Sequence, residues 1–206
     1  MIKNDREYRI VQIPDMQFRA LDTDDEEKKY LVEGYATTYD DEYTLFEYDG
    51  IAYKEIVSRD ALAGADMSDV IFLYNHDGMV YARQSNGTLT LSSDEHGLHV
   101  LADLSSTEES RKMFESIKAG LVTQMSWAFT VAESSYDQDV HTRTIVKIKK
   151  VYDVSAVSIP ANPNTDISAR SFFDGVIEAE QEQRRRDLER AERIARIKEK
   201  NKGDQS

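Results

Sequence analysis

Six segments spread over residues 7–159 are rich in Val, Ile, Thr and Tyr, and several of them alternate polar with apolar residues. They are 7–13 (EYRIVQI), 29–39 (KYLVEGYATTY), 79–92 (MVYARQSNGTLTLS), 97–104 (GLHVLADL), 122–132 (VTQMSWAFTVA) and 142–159 (TRTIVKIKKVYDVSAVSI). A period of two turns one face of each segment to a core and the other away from it, a pattern that the 3.6-residue period of a helix does not produce. The body of the chain is therefore expected to be mainly β. Asn86-Gly87 and His96-Gly97 fall between runs, where hairpin turns belong. Ser134–Asp139 reads as a polar link between two strands.

Two short helices are expected within this β body, giving an α+β class. One lies near Ser58–Ala65. The other opens at Thr107 as N-cap, with Glu108 and Glu109 in its first turn, and presents Met113, Phe114 and Ile117 on an apolar face. Gly120 is placed to stop it, just before the strand that holds Ser126.

The chain changes character after Pro163. Residues 164–174 read as a loop, and 176–200 are charged and helix-favouring, with only a thin apolar stripe of Leu188, Ala191, Ile194, Ala195 and Ile197. Such a helix gains little by packing. The expected organisation is a domain over 1–173 and a charged, helical or partly disordered tail over 174–206.

Net charge is −13. Asp174 to Ser206 hold nine acidic and nine basic residues, so the body carries the whole excess. A chain that binds phosphate backbones needs a basic face, so nucleic acid is not an expected partner. The absence of cysteine excludes disulfide scaffolds, thiol catalysis and cysteine-ligated zinc. The opening MIKNDREYRIVQIPD has no apolar run of signal-peptide length, and no stretch approaches a membrane span. A soluble chain that stays in the cell that made it is expected.

Histidine is the natural general base near neutral pH, and the chain has four. His76 ends the apolar run of IFLYNHDG beside a turn. His96 and His99 share a hairpin and have no third residue in a metal-ligand pattern, so no metal is expected. His141 follows the polar link and is read as exposed. A serine hydrolase needs a serine within reach of its base and a third group to orient the imidazole. There is no G-x-S-x-G elbow, which disfavours an α/β-hydrolase. Ser126, in TQMSWAF, shares a strand face with Gln124, Ala128 and Thr130, while Met125, Trp127 and Phe129 take the other. These residues alone leave two readings open: an active-site floor with its base, or a solvent face and a surface turn histidine.

Three segments, taken together and in order, resemble the tailed-phage prohead protease family, which is related to herpesvirus assemblin. They are YNHD with His76, GLVTQMSWAF with Ser126 and YDVSAVSIPANP with Asp153, and the resemblance runs from about Val32 to Ser171. It implies a closed or nearly closed antiparallel β-barrel flanked by helices. It also implies a serine endopeptidase with Ser126 as nucleophile, His76 as base and Asp153 as the third member, in the place where the herpesvirus relatives carry a second histidine. Asp77 is a rival orienter of His76, ranked lower because sequence neighbours usually point apart. The relatives' paired oxyanion arginines have no counterpart; Ala161 through its backbone amide and Asn162 through its side chain stand at that place.

On this reading no cofactor is needed. The substrates would be scaffold segments, extensions of the major capsid protein and the protease itself, inside the immature prohead in the host cytoplasm. Self-association is carried over from the herpesvirus relatives alone. The tail would bind scaffold or shell protein, be trimmed off, or remain a solvated appendage. A non-catalytic assembly or scaffold protein that keeps the barrel is the rival reading. A small-molecule esterase is a second rival, weakened by the missing elbow and glycine-rich loop.

Overall fold

A computed structural model of the chain describes residues 6–10, 19–21, 30–158 and 167–203. Within them the chain is mainly β with two helices. It divides into two compact units, Met1–Ser168 and Ala169–Ser206.

The first unit holds two sheets. One contains β1 (Glu7–Ile10), β4 (Tyr43–Tyr48), β5 (Ile51–Val57), β6 (Ile71–Tyr74), β7 (Asp77–Arg83), β10 (Gln124–Asp137) and β11 (Thr142–Val157). Its order is β1-β10-β11-β5-β4, with β6 also on β11 and β7 on β6. The other contains β2 (Arg19–Ala20), β3 (Leu31–Thr38), β8 (Leu89–Ser93) and β9 (Gly97–Asp103), in the order β2-β3-β9-β8.

The closed or nearly closed antiparallel barrel is not confirmed among the described residues. Among the described residues neither sheet closes on itself, and the larger one is mixed. The reason lies in the length of β11, which spans 16 residues. It pairs antiparallel with β10 along one edge, while its other edge takes β5 near Thr142 and β6 near Asp153, both in parallel.

One core lies beneath both sheets. Met125, Trp127 and Phe129 of β10 share it with Val32 and Ala36 of β3 and with Leu98 and Val100 of β9. The Trp127 and Phe129 rings stack at 4.0 Å between centroids. Helix α1 (Glu108–Lys118) closes this core with Met113, Phe114 and Ile117, as its sequence pattern requires. Its ends are also as read: the Thr107 hydroxyl accepts from Ser110 N at 3.0 Å, and Gly120 takes φ of 72° at the stop.

Several local expectations are corrected. Residues 58–65 form successive tight turns, not a helix; Ala61, Ala63 and Ala65 donate to the carbonyls of Ser58, Asp60 and Leu62. The Ala61 carbonyl is taken by Ile148 N at 2.7 Å, so backbone groups serve β11 instead of a helical ladder. Asn86-Gly87 does not close a hairpin, because β7 and β8 lie in different sheets. There Thr88 Oγ1 accepts from Arg83 N and donates to Asn86 Oδ1, forming a turn that carries the chain between sheets. Ser134–Asp137 belong to β10 and only 138–141 separate it from β11. The β4–β5 hairpin was absent from the strand expectations, yet Asp49-Gly50 at its turn is a strong hairpin dipeptide, with φ of 51° and 74°.

His96-Gly97 does sit in a β8–β9 hairpin. Gly97 is required for a long-range reason: a Cβ there would collide with the Thr37 carbonyl of β3.

The second unit is helix α2, assigned over Ile167–Gly203, which starts earlier than the expected Val176. Helix-favouring Glu, Gln, Arg and Ala dominate it. Glu182 pairs with Arg185 at 2.7 Å and Arg186 at 3.0 Å, contacts each worth about 0.2–0.5 kcal/mol on a helix surface. Leu188 and Ile194 are exposed. Among the described residues no helix is long and apolar enough to cross a membrane.

Candidate active site

Strand register sets the floor of the site. Ser126 of β10 lies directly opposite Ser155 of β11 and Ile10 of β1, and Ala128 lies opposite Asp153 and Tyr8. Directly paired residues project to the same face of a sheet. Ser126, Ser155, Asp153 and Tyr8 therefore share one face, opposite the Trp127 core. That face is not a solvent face: Ser126 and Ser155 are buried and Asp153 is 4% exposed.

His76 reaches this face from the turn between β6 and β7. Tyr74 pairs with Asp77, leaving Asn75 and His76 as a two-residue loop in which φ is 51° and 59°. Positive φ at both positions is the mark of a type I′ hairpin turn. Asn tolerates this region; a histidine there is strained by about 1–3 kcal/mol. The turn is held in place by Asn75. Its backbone N donates to the Ala156 carbonyl at 3.0 Å, its Nδ2 to Ser158 Oγ at 3.3 Å, and its Oδ1 accepts from Ser158 N at 3.2 Å. Asn75→Ala removes these side-chain bonds and places a residue poorly suited to positive φ in the turn. A loss of about 1–2 kcal/mol in stability is expected, read as a lower denaturant midpoint.

The strained turn delivers His76 into a hydrogen-bonded series. His76 Nδ1 is 2.6 Å from Asp153 Oδ1, and His76 Nε2 is 2.6 Å from Ser126 Oγ. A carboxylate at Nδ1 can only accept, so it selects the tautomer with hydrogen on Nδ1. The Nε2 lone pair then faces the Ser126 hydroxyl, whose proton it can take. The Tyr8 ring packs edge-on to the imidazole, 4.7 Å between centroids. Asp77 does not orient His76; its Oδ1 accepts from Gly78 N at 2.7 Å.

The three residues picked from separate segments, His76, Ser126 and Asp153, thus meet at one point. Ala161 and Asn162 lie outside the described residues. Ser155, Tyr8 and Asn75 also belong to the site and were not singled out from sequence. Only Asn75 left a legible trace, as the first residue of an Asn-His turn after an apolar run. The other two depend on strand register.

The remaining histidines lie elsewhere. His96 is 3.4 Å from Glu95 and His99 is 3.5 Å from Glu33, both in the smaller sheet's hairpin region. His141 accepts or donates through Nδ1 to the Tyr136 hydroxyl at 3.1 Å. Among the described residues no group of three or more His, Asp or Glu is arranged to hold a metal ion.

A hydroxyl, an imidazole and a buried carboxylate in series is the arrangement of serine hydrolases. The model of the caudovirus prohead serine protease family, Peptidase S78, matches residues 15–176, and the chain belongs to that family. It is similar to the prohead protease of Escherichia phage T5, with 23% identity over 161 residues that cover 78% of this chain and 72% of that protein. No solved structure gives a significant match. Family membership supports a serine protease role in capsid maturation.

Proposed function

We propose that this chain is a serine endopeptidase that cleaves scaffold segments, capsid-protein extensions and itself inside the immature prohead. The observation that carries the reading is His76 bridging Ser126 and Asp153, 2.6 Å from each. Ser126 Oγ attacks the scissile carbonyl carbon as its proton passes to His76 Nε2. The Asp153 side chain keeps Nδ1–H in place and stabilises the imidazolium. The oxyanion is received by donors on the segment after Ser158, the Ala161 amide and the Asn162 side chain. The imidazolium then protonates the leaving amine, and the acyl-enzyme is hydrolysed by a water that His76 deprotonates. The protease domain is 1–173, with 174–206 as its tail.

Two readouts test this. A fluorophosphonate should label wild-type protein at Ser126 and leave Ser126→Ala unlabelled. Co-expression with the major capsid protein should give processed bands that disappear with Ser126→Ala. Unchanged bands in the variant would refute the assignment.

A further inference from the structure

Resting on the protease reading above, we infer that Ser155 is a fourth member of the site, a positioning residue that holds Asp153 and His76 in register. Its hydroxyl donates to Asp153 Oδ1 at 2.9 Å, and its Oγ lies 3.1 Å from His76 Nδ1. Asp153 Oδ1 is also the atom 2.6 Å from His76 Nδ1. The three atoms form a closed triangle, with one carboxylate oxygen as its shared acceptor.

A serine has one hydroxyl hydrogen and two lone pairs. With the hydrogen given to Asp153, a lone pair of Ser155 faces His76 Nδ1–H. The Nδ1 proton therefore sits between two oxygens, the stronger being the carboxylate. When Ser126 loses its proton and the imidazole becomes a cation, both oxygens face the positive edge. The bond from Ser155 also fixes the carboxylate's rotation, which would otherwise be free to turn Oδ1 away from the ring.

Burial adds weight to this. Ser155 is 0% exposed, and a buried hydroxyl without a partner is costly. Its hydrogen-bonding capacity is directed at the two groups that flank it. The β10–β11 register places Ser155 directly opposite Ser126, so one pair of cross-strand serines supplies the attacking hydroxyl and the supporting one. The spacing of Asp153 and Ser155 by two residues puts both on the same face of β11.

The rate of fluorophosphonate labelling at Ser126 reads nucleophile activation without a known cleavage sequence. Ser155→Ala should slow labelling by about 10- to 100-fold, the scale expected for a loosened catalytic geometry. In an Asp153→Asn background the same change should cost clearly less than it does in the wild type, because Ser155 acts in part through Asp153 and coupled residues are not additive. Thermal melting of each variant reports whether folding is intact. If Ser155→Ala labels within twofold of wild type, the inference fails while the protease reading stands. Additive losses in the double variant also overturn it, since they mark a purely structural role. Labelling that survives Ser126→Ala would overturn the protease reading itself, and the role of Ser155 with it.

Discussion

His76→Ala should lower the rate of peptide cleavage on the order of a million-fold, with little change in substrate binding. That is the scale seen when the base of a serine triad is removed, because nucleophile and base act as one unit. The structure supplies the reasons: Nε2 is 2.6 Å from Ser126 Oγ, and no other described side chain is hydrogen-bonded to that hydroxyl. Asp153→Asn should cost less, about ten-thousand-fold, by favouring the wrong tautomer while keeping the shape. The strained turn provides a second, independent readout. His76 has φ of 59°, a conformation that glycine adopts freely. His76→Gly should therefore abolish cleavage as His76→Ala does while melting higher than His76→Ala, since the glycine relieves about 1–3 kcal/mol of strain that the alanine keeps. A histidine retained for packing alone would lower stability and activity together. Single-turnover cleavage of the capsid protein and thermal melting on the same preparations separate the two cases.

Much of this site was legible only through three ordered segments that resemble the prohead protease family, since the residues' own chemistry left His76 and Ser126 open. The apolar run ending in Asn75-His76 marked a strand end, and the ordered appearance of Ser126 and Asp153 in two later strands tied them to it. What could not be read was the face they share. Ser126 reads as one residue of a polar strand face, yet it is buried, with His76 folded over it. The alignment of Ser155 with Ser126 depends on register shifts opposite Ala128/Phe129 and Thr130/Val131, where β11 carries the extra residues Tyr152 and Lys149, and bulges leave little trace in sequence. The mixed sheet was equally hidden. Parallel pairing of β5 and β6 with one edge of β11 is a long-range choice, and alternation within a strand carries no information on the direction of its neighbour. The Asp49-Gly50 hairpin, by contrast, was written locally and needed only its turn dipeptide to be weighed.

On the other face of the same sheet, Glu55→Gln should produce the largest loss of stability, about 3–5 kcal/mol, in a domain whose total is of the order of 5–15 kcal/mol. Glu55 is fully buried. It accepts from Arg9 Nε at 2.6 Å, from Arg9 Nη2 at 2.9 Å and from Arg143 Nη1 at 3.2 Å, while the Tyr43 hydroxyl donates to it at 2.6 Å. Glu7 joins from β1, receiving Arg9 Nη2 at 2.6 Å and Arg143 Nη1 at 2.7 Å. Two guanidinium groups and two carboxylates make a neutral quartet that ties β1 to β5 and β11. Removing the Glu55 charge leaves one buried cation uncompensated, which is the costly way to break such a cluster. Removing a whole pair is different: Arg9→Met with Glu55→Met leaves Arg143 balanced by Glu7. The double variant is expected to be more stable than Glu55→Gln alone, a comparison that denaturant unfolding reads directly. The same cluster sets an acid limit. Burial alone would raise the Glu55 carboxyl, but the Arg9 charge and hydrogen bonds outweigh it and hold it below the ordinary range. A depressed carboxyl contributes stability above its unfolded value, about 4.3, and loses it as pH falls through the folded one. Acid unfolding should therefore begin below about pH 4 in the wild type, with a shallower acid dependence in Glu55→Gln. Equal acid slopes in the two proteins would show that Glu55 does not carry that dependence.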